Sequence, residues 1–106
     1  MVSLEAITEL AERIAREFHP ERIVLFGSYA AGNPHEGSDV DLLVVLPFRG
    51  NGIRKAIEIL DRVNPSFPVD LLTRNPKELQ QRLAWNDFFL REIMEKGLVL
   101  YEAAHV

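Results

Sequence analysis

The chain predicts an α/β fold in which a small mixed β-sheet is packed with helices. Three observations carry this expectation. Apolar residues recur at helical spacing near the start of the chain, at Leu4, Ile7, Ala11, Ile14 and Phe18, and again at Ile53, Ala56, Ile57, Leu60 and Val63. Short continuous apolar runs, Ile23 to Phe26 and the stretch around Leu42 to Leu46, have the length and composition of buried strands. The resulting order of helix, strand, strand, helix, strand, helix is that of helices layered on one sheet.

Each element has its own local signals. Ser3 is placed to cap the first helix, and His19-Pro20 ends it, because the residue before a proline avoids helical backbone. Gly27-Ser28 turns the chain after the first strand, and a brief helix is expected from Ser28 to near Gly32. Asn33 to Ser38 is polar, carries Pro34 and Gly37, and reads as a loop. Asp39 to Leu46 is the strongest strand and Pro47 closes it. Arg49-Gly50-Asn51-Gly52 makes a turn before the second long helix, which Pro65 stops. A third strand is expected over Phe67 to Leu72. Asn75-Pro76-Lys77-Glu78 combines a capping asparagine, a first-turn proline and a glutamate three residues on, so a helix starts there. Leu79, Leu83, Leu90, Ile93 and Met94 give its apolar face, Asn86-Asp87 is a place to break it in two, and Gly97 suits its C-terminal end. Leu98 to Tyr101 is expected as a short edge strand.

Size and charge narrow the function. With 106 residues the chain has room for one hydrophobic core and is expected to be one domain over 1–106. There is no cysteine, which excludes a disulfide framework and a thiolate metal site. Glu5, Glu9 and Glu12 interrupt the apolar residues near the start, so no signal peptide is expected, and no apolar run is long enough to cross a membrane. A cytoplasmic location is the default expectation. A net charge of −4 argues against a nucleic-acid partner, whose binding rests largely on phosphate neutralisation.

The chemistry-bearing residues lie at the first turn and on two strands. Glycine at position 27 lets a phosphate oxygen approach the backbone, and the Ser28 hydroxyl can add a donor. Alone, a Gly-Ser turn is most often only a turn. Asp39 and Asp41, two apart on a strand, share one face, with Val40 and Leu42 facing the other way. Neighbouring carboxylates repel by about 1 kcal/mol at 4 Å even in bulk water, and a divalent cation relieves that repulsion. Hard oxygen ligands of this kind suit Mg²⁺ or Mn²⁺. Asp70 sits inside the apolar run Val69-Asp70-Leu71-Leu72, where a charge needs a cation or a route to water. If its strand neighbours that of Asp41, it completes a three-carboxylate site; otherwise it faces solvent from an edge strand. The Gly-x-Gly-x-x-Gly, Gly-Lys-Ser/Thr and calcium-loop patterns are missing. His19, His35 and His105 lack metal-ligand spacing and read as surface residues.

Gly27-Ser28, a short spacer, Asp39-Val40-Asp41 and the later strand carboxylate Asp70 together resemble the DNA polymerase beta-like nucleotidyltransferase superfamily. The length resembles that of its smallest members, the minimal nucleotidyltransferase (MNT) proteins. The resemblance runs from the first helix to Leu98-Val99-Leu100-Tyr101, with its specific part from Phe26 to Val45. It implies a nucleotidyltransferase-like core over the whole chain, with Gly27 and Ser28 on the triphosphate of ATP or another nucleoside triphosphate. Asp39 and Asp41 would hold two Mg²⁺ ions, with Mn²⁺ as an alternative, and Asp70 would join one metal and the attacking group. It further implies transfer of a nucleoside monophosphate, AMP above all, onto a hydroxyl of a HEPN-domain toxin encoded nearby, commonly a tyrosine, with this chain as antitoxin.

One departure touches the nucleotide. The family turn often reads Gly-Ser-x-Ala-Arg-Gly, and Ala31 stands where the arginine would be. Arg22, Arg49, Arg54, Lys55 and Arg74 are possible substitutes, each with a solvated surface role as its plainer reading. The rival to an enzyme is a non-catalytic antitoxin that neutralises its toxin by complex formation. Trp85-Asn86-Asp87-Phe88-Phe89 would then be a docking patch, although core packing is the ordinary role of such a segment. A polymerase or tRNA-modifying enzyme fits the charge and length poorly.

Overall fold

The structure is a computed structural model that describes residues 1–104; His105 lies outside them. Helix α1 (Leu4–Phe18) begins where the Ser3 hydroxyl accepts the Ala6 N–H. It ends at His19, whose left-handed backbone (φ 50°) lets its N–H reach the Ala15 carbonyl ahead of Pro20. Strand β1 (Arg22–Phe26) leads directly into the five-residue helix α2 (Gly27–Ala31), and β2 (Val40–Val45) follows the polar loop. Helix α3 (Gly52–Val63) is capped by the Asn51 side chain, which accepts the N–H groups of Ile53 and Arg54. Next come β3 (Val69–Arg74), α4 (Pro76–Ala84), α5 (Phe88–Lys96) and β4 (Leu98–Glu102). The break between α4 and α5 falls at Asn86-Asp87, as the sequence suggests, and the Asp87 carboxylate caps α5 by accepting the Leu90 N–H.

The four strands form one mixed sheet in the order β3-β2-β1-β4. β1 pairs antiparallel with β2 and β4, while β2 pairs parallel with β3. A parallel pair requires a crossover connection, and α3 provides it. One face of the sheet, carrying Ile23, Leu25, Val40, Leu42, Val44 and Leu71, is covered by α1 and α3 through Ile7, Leu10, Ile14, Ile59 and Val63. The other face presents Val24, Leu43 and Val45 to α4 and α5, which bury Leu79, Leu90 and Ile93 against them.

Three expectations need correction. β3 lies two residues later than the apolar run suggests. Pro68 has no N–H for a ladder, although its carbonyl accepts the Val40 N–H, and Thr73 joins the buried strand because its hydroxyl donates to the Gly52 carbonyl at 2.5 Å. On α3, Ile53 and Ile57 are exposed, and Ile59 takes their place in the core with Ala56 and Val63. Gly97 does end α5, but with extended rather than left-handed backbone. Glycine is needed there for close approach, because a Cβ would collide with the Ile93 carbonyl and the Val24 side chain.

Candidate active site

The site lies at one end of the sheet. Phe26, Asp41 and Asp70 form a row across β1, β2 and β3, since Asp41 is the register partner of both neighbours. Register partners project to the same face, so the Asp41 and Asp70 carboxylates are neighbours on the side of the sheet that carries α4 and α5. Asp39 sits just ahead of β2 and is exposed, as is Asp70, whereas Asp41 is half-buried. Val40 and Leu42 face the opposite side, in the core. Burial raises the Asp41 pKa above the ordinary carboxylate value, and the charges of Asp70 and then Asp39 push it further the same way. Among the described residues no three such side chains stand close enough to make a finished metal cluster. What the sheet supplies is an open pair, Asp41 beside Asp70, with Asp39 near enough to be felt.

Gly27 is bound to this pair by geometry. Its backbone is left-handed (φ 74°), which glycine adopts without penalty. A Cβ at this position would land on the Asp41 Oδ2 and lie 3.1 Å from the carboxyl carbon. The absent side chain therefore makes room first for Asp41 itself, a tighter reason for glycine than phosphate approach alone. Ser28 follows within α2, which opens at Gly27 rather than Ser28 and has no side-chain cap.

A cleft of about 650 Å³ opens over Gly27, Ser28 and Asp41, while Asp39 and Asp70 stand outside its lining. Gly27, Ser28, Ala31 and Asn33 form one wall, Asp41 is at its base, and Phe89, Glu92, Ile93 and Lys96 form the other. Those last four occupy positions i, i+3, i+4 and i+7 of α5, a single helical face. Its volume lies within the range of small-ligand pockets. Phe89 packs edge-on against Phe26, with ring centroids 5.9 Å apart, and so ties α5 to the acidic end of β1.

Sequence reasoning missed this α5 wall. Its one visible signal is Gly97, whose close approach to Val24 fixes the end of α5 against β1. The five basic residues suggested as substitutes for the turn arginine are elsewhere. Arg22 and Arg74 are both register partners of Val45, and Arg49, Arg54 and Lys55 line a separate hollow after the end of β2. Val45 lies four residues along β2 from Asp41, a distance of about 13 Å. The aromatic segment also departs from expectation. Trp85, Phe88 and Phe89 are 68%, 87% and 54% exposed, so they are not core residues.

A mixed sheet that sets two carboxylates beside a glycine turn, one of them, Asp41, lining a cleft of nucleotide size, belongs to a class of fold suited to handling phosphates. The family follows from the comparisons: the nucleotidyltransferase domain model matches residues 7–100, and the chain belongs to that family. It is similar to the "Putative protein adenylyltransferase" of Methanocaldococcus jannaschii, at 27% identity over 92% of this chain and 96% of that one. Among solved structures it resembles a "putative nucleotidyltransferase" from Sulfolobus solfataricus, with TM-score 0.65, 20% identity, and 93% of this chain and 79% of that one covered. A mutant of the toxin-antitoxin MntA-HpeT has the same fold at TM-score 0.57 and 20% identity, over 91% of this chain and 73% of that one. The domain match thus fixes the nucleotidyltransferase family, and the solved structures add the likeness of fold. Among the described residues no helix is long and apolar enough to cross a membrane.

Proposed function

We propose that this nucleotidyltransferase uses Mg²⁺ and ATP to place AMP on a hydroxyl of a partner protein, as the antitoxin of a HEPN/MNT toxin–antitoxin pair. The observation that carries the reading is the pairing of Asp41 with Asp70 against the Gly27 turn. The protein acceptor is supported by the name of the M. jannaschii relative, and the antitoxin role by the toxin-antitoxin neighbour.

The donor set fits the metal. Asp39, Asp41 and Asp70 offer only hard oxygen ligands, and the pKa of Asp41 is raised first by burial and then by the neighbouring charges of Asp70 and Asp39. Bound there, one or two Mg²⁺ ions would neutralise phosphate charge and orient the reacting groups. The chain's own residues do the rest. Gly27 and Ser28 wall the triphosphate into the cleft, so that the acceptor oxygen meets the α-phosphorus. A bond forms between that oxygen and the α-phosphorus as the bond from the α-phosphorus to the oxygen bridging to the β-phosphate breaks, releasing pyrophosphate. Asp70, exposed at the sheet edge where an acceptor can reach it, takes the hydroxyl proton. Positioning and charge neutralisation carry most of such a reaction.

One observation favours a second reading, a non-catalytic antitoxin that neutralises by binding. The exposed Trp85, Phe88 and Phe89, the last of which lines the cleft, are the residue types enriched at interface hot spots. Incubation with labelled ATP, Mg²⁺ and the product of the neighbouring gene separates the two. Label on the partner, lost in Asp41→Asn, supports transfer. A tight complex without label, unchanged by Asp39→Asn, supports blocking.

A further inference from the structure

We infer that Lys96 is the triphosphate-binding cation of the cleft, an assignment that rests on the nucleotidyl-transfer reading. A nucleoside triphosphate adds about four negative charges to those of Asp39, Asp41 and Asp70, and one or two bound divalent ions offset only part of that total. The walls of the cleft add a further acid, Glu92, and Lys96 is the one basic residue among its described lining residues. Arg22, Arg49, Arg54, Lys55 and Arg74 are at the other end of the sheet, too far to help.

The position of Lys96 suits the task. It shares a helical face with Phe89, Glu92 and Ile93, so its side chain rises from the wall opposite Gly27, Ser28 and Ala31. Its ammonium group lies 3.5 Å from Glu92 Oε1, with both side chains largely exposed. An exposed pair of this geometry contributes little, and a phosphate oxygen readily displaces the carboxylate with a charge-assisted hydrogen bond. A lysine is a flexible point charge and can follow a phosphate chain along the wall. The ordinary explanation of a lysine in the last turn of α5 is favourable interaction with the helix dipole. That explanation predicts an effect on stability and none on nucleotide binding, so the two are separable.

The test measures Mg²⁺-ATP binding and the KM for ATP in the full chain and in Lys96→Met. Loss of one charge-assisted hydrogen bond weakens ATP binding and raises KM by about tenfold or more, while kcat at saturating ATP stays within about threefold and the melting temperature is unchanged. Ala31→Arg, which returns a cation to the same cleft from the opposite wall, restores a substantial part of that loss in the Lys96→Met background. Equal ATP affinity in the parent and Lys96→Met overturns the assignment and leaves nucleotidyl transfer standing. Failure of the parent chain itself to bind Mg²⁺-ATP overturns both.

Discussion

The two faces of β2 are built from the same apolar stock and differ at one residue. On the side of α1 and α3, Val40, Leu42 and Val44 are all fully buried. On the side of α4 and α5, Leu43 and Val45 are equally buried, and Asp41 stands where a third apolar residue would complete the pattern. The first face closes over its whole length. The second stops at Asp41, beside Asp70 and below the α5 wall, and leaves the cleft. The lesson is that the site is a single interruption in an otherwise saturated core, held open by charges that the fold itself does not neutralise.

That contrast can be broken from either side. The largest effect on the fold is expected on the closed face. Leu42→Ala leaves a hole between the helices and the sheet and lowers stability by about 2–5 kcal/mol in chemical denaturation. A loss well under 1 kcal/mol would mean that this face is not the structural half. Gly27→Ala acts on the open face. The left-handed backbone penalises a side chain by about 1–2 kcal/mol, and the added methyl displaces the Asp41 carboxylate. A shift of that kind lowers the transfer rate by about 100-fold, whereas the helix content seen by circular dichroism should be unchanged. Transfer at the parental rate would separate Gly27 from the acidic pair.

The smallest effect sharpens the electrostatic half of the comparison. The Asp41 pKa is raised in the fold, so the native state holds that proton more tightly than the unfolded chain does. Its contribution to stability is full below the unfolded carboxylate pKa and is lost as pH rises through the folded value. Without metal, Asp41→Asn should therefore melt higher than the parent at neutral pH, by a few degrees at most, and the gap should shrink as pH falls to about 4. A gap that widens on acidification would give the opposite sign and remove the argument for repulsion.

How much of this was legible before the fold was seen follows from range. Local signals carry much of it: Ser3 and Asn75 cap helices, His19-Pro20 ends one, and Asn86-Asp87 divides another, whereas Asn51 reads only as part of a turn although it caps α3. The spacing of Asp39 and Asp41, with Asp70 inside a later strand, was enough to nominate the acidic pair, because strand periodicity sets faces and only the neighbouring of β2 and β3 had to be assumed. What could not be read depends on packing across the sheet. No local feature reveals that α5 leans over Asp41, that Lys96 enters the cleft, or that Arg22 and Arg74 project from the far end. The aromatic segment misled for the same reason: Trp85, Phe88 and Phe89 have core composition, and only the turn between α4 and α5 sets them outside.

Thermal denaturation with and without Mg²⁺, in the parent and in Asp41→Asn, tests most directly whether the acidic end is a cation site. Added at ten times its dissociation constant, the ion should stabilise the parent by about 1.4 kcal/mol, seen as a rise in melting temperature, and should leave Asp41→Asn unmoved. An equal rise in both proteins, or none in the parent at saturating Mg²⁺ with ATP present, would contradict the account.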